Sequence, residues 1–279
     1  MRYIDLHVHT TASDGSMTPS QVVQYAVKKN LAAIAITDHD TIEGVSEGVE
    51  QGKKEGIEVV PGIEISVDFG VEMHILGYFI DIDSTILNDT LNKLKYYRDQ
   101  RNPQIIQKLN ELGVEITMDE VESKANGRIV GRPHIAAVMI DKGYVNSTDE
   151  AFDRYLSVGR PAYVKKQKLL PEEGIELIKK AGGFAVLAHP IFLKKEDEEL
   201  EYLLRQLIRY GLDGLEGYYS DYSAEVSNKY LALARKYNLI VTGGSDYHGK
   251  SKPHIELGEG YGTLKVPYQL LETMKGRRG

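Results

Sequence analysis

The sequence has no cysteine and no tryptophan, and it has no long apolar segment. Without cysteine the chain can form no disulfide and can offer no thiolate to a metal ion. No run approaches the ~20 apolar residues that a transmembrane helix needs, so we expect no membrane association. The chain begins with a predicted strand rather than a signal sequence, which agrees with a cytoplasmic protein.

An excess of basic residues is also missing. Lysine and arginine total 34 against 41 aspartate and glutamate residues, for a formal net charge of −7. Proteins that bind long duplex nucleic acid carry broad basic surfaces, so we do not expect this class of partner. A small anionic substrate held by a few local cations remains compatible with the composition. The 279 residues suffice for one large α/β domain or two smaller ones.

The order of predicted elements indicates an interrupted α/β domain. Strands and helices alternate over about the first 80 residues and again after about residue 170. Between these parts the sequence predicts helices and no convincing strand, and Pro103 is expected to break or kink the first of them. We therefore predict a barrel-like α/β domain made of 1–85 and 161–279, with a helical insertion at 86–160.

Six of the eight histidines stand at the borders of predicted strands, and acidic residues accompany several of them. Imidazole and carboxylate groups are good ligands for zinc, manganese and iron ions. The carboxyl ends of strands are where α/β folds build their sites. The pattern predicts a metal enzyme with more than one ion. The histidines are His7, His9, His39, His74, His189 and His248, and the acidic residues are Asp14, Asp38, Asp40, Glu64 and Asp246.

Each of these motifs also has an ordinary explanation. His7 and His9, two apart on a strand, share one face and can chelate an ion, but they can equally be satisfied polar residues. Glu64 follows an apolar strand, where a lone carboxylate is costly unless it is paired or bound to metal. Its two oxygens could bridge two cations, whereas an ion pair with lysine or arginine is the alternative. The combination of motifs favours the metal site.

These motifs, in this order, resemble the PHP (polymerase and histidinol phosphatase) superfamily. The resemblance implies a distorted (β/α)7 TIM-like barrel with a trinuclear metal site at the carboxyl ends of its strands. The matching segments are HVHTTASDG at 7–15, TDHD at 37–40, PGIE at 61–64, HILGY at 74–78, AHP at 188–190 and GGSDYHG at 243–249.

The resemblance also implies which residues hold two to three divalent manganese, iron or zinc ions. One ion would be held by His7, His9, Glu64 and Asp246; a second by Glu64, His74 and His189; a third by Asp14, His39 and His248. Glu64, His189 and Asp246 are the predicted catalytic residues. Either of the last two could carry a proton, and the general acid is left unassigned. Asp38 and Asp40 are expected to orient histidine ligands.

Two further segments resemble small phosphoesterases of this superfamily. GRIVGRPHIAAVMIDKGYV at 127–145 and GRPAYVKKQ at 159–167 are similar to enzymes that act on nucleoside 3′,5′-bisphosphates or on the 5′ ends of short oligonucleotides. Arg132, His134 and Lys165 in these segments are predicted to bind substrate, since arginine and lysine suit phosphate. The insertion would then be a substrate lid. For the neighbouring lysines, a solvated basic loop is an open alternative.

The sequence therefore predicts a metal-dependent phosphoesterase that uses metal-activated water to remove a terminal phosphate from a small nucleotide. One alternative is a histidinol-phosphate phosphatase, and another is a non-catalytic PHP module that binds metal. The apparently complete ligand set favours the enzyme. His254 is expected at the surface. Tyr218 or Tyr219 could stack on a base, although core packing is the simpler expectation.

Overall fold

The computed structural model describes residues 2–125 and 130–278. The chain divides into two units, which we call the barrel unit (Met1–Asp89 and Lys168–Gly279) and the helical unit (Thr90–Gln167). The sequence predicts an insertion at 86–160. In the structure the helical unit begins and ends a few residues later than predicted. The helix Thr85–Glu111 runs without interruption across the first boundary, between Asp89 and Thr90.

Eight strands form a single sheet in the barrel unit, in the order β7-β6-β5-β4-β3-β2-β1-β8. Its two sides meet where β1 and β7 end, because His9 N donates to Tyr247 O at 2.9 Å and Asp246 N donates to His7 O at 2.9 Å. The predicted barrel-like α/β fold is thus confirmed. The strands are β1 (Tyr3–Val8), β2 (Ala33–Ile36), β3 (Glu58–Ser66), β4 (His74–Tyr78), β5 (Phe184–Leu187), β6 (Gly214–Tyr219), β7 (Ile240–Gly244) and β8 (Val266–Pro267).

Strand β4 departs from the parallel pattern of the barrel. It runs antiparallel to β3, with Ser66 opposite His74, and antiparallel to β5, with Ile75 opposite Leu187. The β3–β4 connection contains no helix, so β4 returns directly alongside β3. The beginning of β4 consequently lies at the same edge as the ends of β3 and β5. His74 reaches the carboxyl edge of the barrel although it opens its own strand.

Helices cover the barrel. The first of them shows how the local sequence determines where a helix begins. In α1 the Thr18 side chain accepts from Gln21 N at 3.2 Å, and Thr18 N donates to Gln21 Oε1 at 2.9 Å, a capping box. Among the described residues no helix is long and apolar enough to cross a membrane. The helices of the barrel unit are α1 (Pro19–Lys28), α2 (Val45–Glu55), α7 (Pro171–Lys180), α8 (Asp197–Arg209), α9 (Ala224–Lys236) and α10 (Gln269–Gly276).

The helical unit has an apolar core of its own, which includes Ile105, Leu109, Ile135 and Met139. Its first helix continues through Pro103, so a break there is wrong, whereas the alternative of a kink stays a prediction. The structure shows no strand among the described residues of this unit. Residues 127–129, at the start of the 127–145 segment, lie outside the described residues. The helices are α3 (Thr85–Glu111), which begins in the barrel unit, α4 (Met118–Ala125), α5 (Arg132–Asp141) and α6 (Thr148–Ala151).

Candidate metal centre

Glu64 is the hub of a histidine cluster at the carboxyl edge of the barrel. Its side chain is completely buried, and five imidazole nitrogens lie within 3.3 Å of its two oxygens. Each oxygen faces a different group of histidines. Oε1 is near His74 Nδ1 (2.8 Å) and His189 Nε2 (2.9 Å), and Oε2 is near His39 Nδ1 (2.9 Å), His9 Nε2 (3.2 Å) and His7 Nε2 (3.3 Å).

Two aspartates extend the cluster on either side of His9. Asp246 Oδ1 lies 3.2 Å from His9 Nε2 and 3.6 Å from His7 Nε2. Asp14 Oδ1 lies 3.2 Å from His248 Nε2, and Asp14 Oδ2 lies 3.9 Å from His39 Nε2. The nine residues that the sequence predicts as metal ligands are thus brought together within one unit.

The ligand atoms fall into groups of suitable size for single ions, with atoms within 4.8 Å of one another. The groups agree broadly with the predicted division, but they share six residues, so geometry does not assign individual ligands to individual ions. The shared residues are His7, His9, His39, Glu64, His74 and His189. The groups are His7, His9 and Asp246; His7, Glu64 and His189; His39, Glu64 and His74; Glu72, His74 and His189; and His9, Asp14, His39 and His248.

Unsatisfied buried atoms indicate that this cluster fits metal ions. Six of its atoms are buried and make no hydrogen bond with the described residues, although carboxylate oxygens and ring nitrogens lie close together. Each such atom would cost about 1–3 kcal/mol if it stayed without a partner. Cations placed between imidazoles and carboxylates would satisfy them together. The atoms are His7 Nε2, His9 Nδ1 and Nε2, His39 Nδ1, Glu64 Oε2 and His189 Nδ1.

The pKa shifts of the cluster also favour the binding of metal ions. Burial raises the pKa of Glu64, but the charge of His39 and other histidines holds it well below its usual range. Burial lowers the pKa of His9, whereas Asp246 and Glu64 raise it to about 9. The carboxylates therefore remain ionised and attract positive charge, which protons supply when no metal is bound. Metal binding would displace those protons.

The backbone at the cluster is held in uncommon conformations. Asp40, His189 and Asp246 have φ values of 52°, 24° and 58°, in the left-handed region that side chains other than glycine rarely adopt. Each follows closely on a strand end, where the chain turns away from the barrel. Such strain, of order 1–3 kcal/mol per residue, is concentrated at functional sites in proteins.

Asp38 and Asp40 hold backbone segments beside the cluster. Asp38 Oδ1 accepts from Thr10 N at 2.7 Å and from Ser13 Oγ at 2.5 Å, while Oδ2 accepts from Thr10 Oγ1 at 2.7 Å. These bonds fix the loop that carries Asp14. Asp40 Oδ1 accepts from Ser66 N at 2.9 Å, just beyond Glu64. For Asp38, the sequence-based expectation of direct histidine orientation is replaced by this loop contact.

Comparison with known proteins identifies the family of this chain. The sequence profile of the PHP domain matches residues 5–257. The chain belongs to the PHP domain family. The resemblance read from the HVH, TDHD and SDYH motifs is therefore confirmed.

Several relatives of this PHP chain match nearly its whole length. It is 34% identical over 257 residues to the 5′-3′ exoribonuclease Rnm of Escherichia coli, covering 91% of this chain and 87% of that protein. It is 31% identical over 260 residues to a 3′,5′-nucleoside bisphosphate phosphatase of Chromobacterium violaceum, covering 92% and 91%. A solved structure from Bifidobacterium adolescentis, described as a candidate metal-dependent phosphoesterase, matches with a TM-score of 0.84 and 31% identity over 100% of this chain and 96% of that one.

Glu216 is a site residue of the PHP barrel that the sequence analysis missed. It lies on β6 and is fully buried. Its Oε1 is 2.9 Å from His7 Nδ1, and its Oε2 accepts from His189 N at 2.7 Å. A carboxylate on one ring nitrogen fixes the tautomer that leaves the other nitrogen free for metal. An acidic residue in an otherwise apolar strand was the available signal, and it was the same signal that singled out Glu64.

Replacing Glu216 with glutamine should lower metal affinity by about 10- to 100-fold, the usual effect of removing a carboxylate that orients a histidine ligand. The amide keeps the shape of the side chain but loses the charge that favours Nδ1–H on His7. Manganese binding to chelated protein, followed by calorimetry, measures the change. Glu225→Gln, at an exposed position in α9, is the control. Equal affinities for both variants would contradict the orienting role.

Two donors fix the outer oxygen of Asp246. Tyr219 Oη donates to Oδ2 at 2.8 Å, and Lys252 Nζ lies 2.6 Å from the same atom. This leaves Oδ1 to face the histidines. Tyr219 is only 3% exposed, which agrees with the expectation of core packing rather than base stacking. His254 is exposed, as expected. The sequence analysis did not single out Lys252 as a site residue, since nothing local distinguishes it from Lys250.

The three predicted substrate-binding residues lie in the helical unit. Arg132 opens α5, and its guanidinium donates to Leu156 O at 2.8 Å. His134 caps the same helix, since its Nδ1 accepts from Gly131 N at 3.1 Å. Lys165 is exposed and lies outside any helix or strand. Their part in substrate binding stays a prediction.

Proposed function

We propose that this chain is a metal-dependent phosphoesterase that hydrolyses a terminal phosphate from small nucleotides. The observation that carries the proposal is the convergence of five imidazoles on the two oxygens of buried Glu64. A carboxylate with a different group of nitrogens at each oxygen is suited to bridge two cations. Divalent metal dependence also agrees with the description of the similar structure from Bifidobacterium adolescentis.

The residues of the cluster would hold the metal ions, orient the ligands and move a proton. Glu64 would bridge two ions, with His7, His9 and Asp246 on one side and His74 and His189 on the other; Asp14, His39 and His248 would hold a third. When bound, the ions would polarise the phosphoryl group, lower the pKa of water and neutralise charge on the leaving oxygen. Glu216 would orient His7, and Lys252 and Tyr219 would hold the outer oxygen of Asp246. His189 and Asp246 remain the candidates for moving a proton.

The relatives and the basic residues of the helical unit support the proposed substrate class. One relative is named a 3′,5′-nucleoside bisphosphate phosphatase and another a 5′-3′ exoribonuclease. A nucleoside bisphosphate carries a second phosphate group beside the one that is removed. Arg132, His134 and Lys165 supply basic and polar groups that suit the second phosphate. We therefore propose that the helical unit acts as a substrate lid and discriminates nucleotides from simple phosphate esters.

A phosphate-release screen tests the proposed function. The substrates are a nucleoside 3′,5′-bisphosphate, a mononucleotide, a 5′-phosphorylated short oligonucleotide and histidinol phosphate, each with manganese, zinc or iron. We expect the bisphosphate or the oligonucleotide to give the highest kcat/KM. Preference for histidinol phosphate would replace the nucleotide assignment with the alternative phosphatase. No release from any substrate, in protein that binds metal, would favour a non-catalytic module.

Arg132 and Lys165 provide a test of substrate discrimination. A hydrogen bond to a charged group contributes ~1.5–3 kcal/mol, which corresponds to roughly a 10- to 150-fold effect. Arg132→Ala and Lys165→Ala should each lower kcat/KM for the bisphosphate by about that factor, and for an aryl phosphate far less. Arg154→Ala, which removes an exposed arginine paired with Glu150, is the control. Equal losses on both substrates would show that neither residue contacts the second phosphate.

A further inference from the structure

The third group of candidate ligands is the most exposed part of the metal centre. The side chain of Asp14 is 50% exposed and that of His39 is 25% exposed, whereas His9 and Glu64 are completely buried. Asp14 also stands in the loop between β1 and α1 rather than on a strand. Packing alone holds such a loop weakly, so other contacts must keep Asp14 where it can share an ion with His248.

Two serines tie this loop to the loop that follows β7 and carries His248. Ser16 N donates to His248 O at 3.0 Å, and Ser16 Oγ accepts from Lys250 N at 2.7 Å. In the opposite direction, Ser251 Oγ donates to Asp14 O at 2.9 Å. Each hydroxyl thus bonds the backbone of the loop opposite its own. We call this pair of residues, Ser16 and Ser251, the serine clip.

Gly249 allows the two loops to approach each other at the serine clip. Its φ of 63° lies in the left-handed region that glycine adopts without strain. A Cβ atom at this position would overlap Ser16 Oγ. A side chain there would therefore push the hydroxyl of Ser16 away from Lys250 N, and only glycine leaves the contact intact.

The ring of His248 is fixed by contacts other than the serine clip. Its Nδ1 lies 2.8 Å from Asp246 O, which can only accept, so Nδ1 carries the hydrogen and Nε2 is left for an ion. The ring also stacks on His9, with 4.0 Å between the ring centres. Its Nε2 lies 3.2 Å from Asp14 Oδ1. The clip therefore positions the exposed aspartate against a histidine that is already in place.

We propose that the serine clip positions Asp14 and thereby sets how tightly the third metal ion binds. The inference rests on the proposed metal centre. Neither serine is among the nine predicted ligands, so both are positioning residues. Without the clip, an ion would have to order the loop when it binds, and its affinity would fall by the cost of that ordering. The other two ions do not use Asp14 and should bind as before.

Manganese binding to the full-length protein tests this proposal. The protein is freed of metal with a chelator, and binding is followed by calorimetry together with electron paramagnetic resonance, which counts bound ions. Asp14→Asn identifies the binding step that belongs to the third ion. We expect Ser16→Ala and Ser251→Ala each to weaken that step by roughly 2- to 13-fold, the effect of losing one ordinary hydrogen bond. The double variant should weaken it by about 10- to 100-fold, the range for partners beyond the ligands themselves.

Two further variants separate positioning from general loss of structure. Ser223→Ala removes a hydroxyl that likewise accepts from a backbone N–H, that of Val226 at 3.2 Å, and it should bind all ions normally. Ser251→Thr keeps the hydroxyl and should restore the third step. Unchanged affinity in the double variant would overturn the proposal. Equal weakening of every step, with a lower melting temperature, would also overturn it, as would a protein with no step that depends on Asp14.

The outcomes also separate this inference from the proposed function. Hydrolysis of phosphate esters by the metal-loaded protein, with manganese binding that does not depend on the serines, would retain the function and reject the clip. Serine-dependent binding of the third ion, in a protein that hydrolyses no ester, would retain the clip and reject the function.

Discussion

Replacing Glu64 with glutamine should lower kcat/KM by on the order of 10³-fold, because metal ions contribute several kcal/mol of charge stabilisation to such reactions. The amide keeps the size of the side chain but removes the charge on which five imidazoles converge. Metal should be lost together with rate, since the two ions that Glu64 would bridge would lose their shared ligand. Steady-state kinetics and elemental analysis of the same preparation measure both effects.

The same strand offers a matched control for this substitution. Glu58 stands at the other end of β3, where its carboxylate pairs with Lys275 at 2.6 Å. Glu58→Gln should retain metal and turnover, because an exposed ion pair of this kind contributes only about 0–1 kcal/mol to stability. If Glu64→Gln behaved like Glu58→Gln, the bridging role of Glu64 would be wrong.

Removal of metal should abolish hydrolysis and lower the melting temperature. A ligand that binds only the folded state stabilises it by about 2.7 kcal/mol at 100 times its dissociation constant. For a chain of this size that corresponds to a shift of roughly 5–10 °C. Loss of metal also leaves Glu64 and Asp246 dependent on protonated imidazoles for their counter-charge. Differential scanning fluorimetry before and after chelation measures the shift.

Readdition of manganese is the control for chelation. Activity and melting temperature should recover together, which separates metal loss from irreversible damage. A chelated protein that melts at an unchanged temperature, yet has lost its metal by elemental analysis, would contradict a centre built into the barrel core. Full activity in that protein would contradict the proposed chemistry.

The sequence was sufficient to predict which candidate ligands lie together, because they occur in short motifs at strand ends. His7 and His9 share a strand face, and adjacent parallel strands bring their carboxyl ends to one edge. Each histidine could therefore be placed without knowing the detailed packing. The antiparallel direction of β4 does not move His74 away from the other histidines. His74 begins its strand, and the start of β4 lies at the same edge as the end of β3.

The supporting residues could not be predicted in the same way. Glu216 contacts His7, which is 209 residues away in sequence, and nothing local marks that contact. Glu72, within ligand distance of His74 and His189, stands in a connection whose path the sequence did not define. Pro103 lies inside α3 because packing in the helical unit overrides the local preference for a break. The hydrogen bond from Ser251 to Asp14 O likewise depends on tertiary structure and is invisible in the sequence.

A metal titration of activity tests the central claim most directly. Chelated protein receives increasing manganese, and phosphate release from a nucleoside 3′,5′-bisphosphate is followed at each point. A centre built from the nine residues around Glu64 predicts no release without metal and a plateau at about two to three equivalents per chain. Release that is complete without added metal, or that reaches its plateau below about one equivalent, would contradict a polynuclear metal centre as the source of the activity.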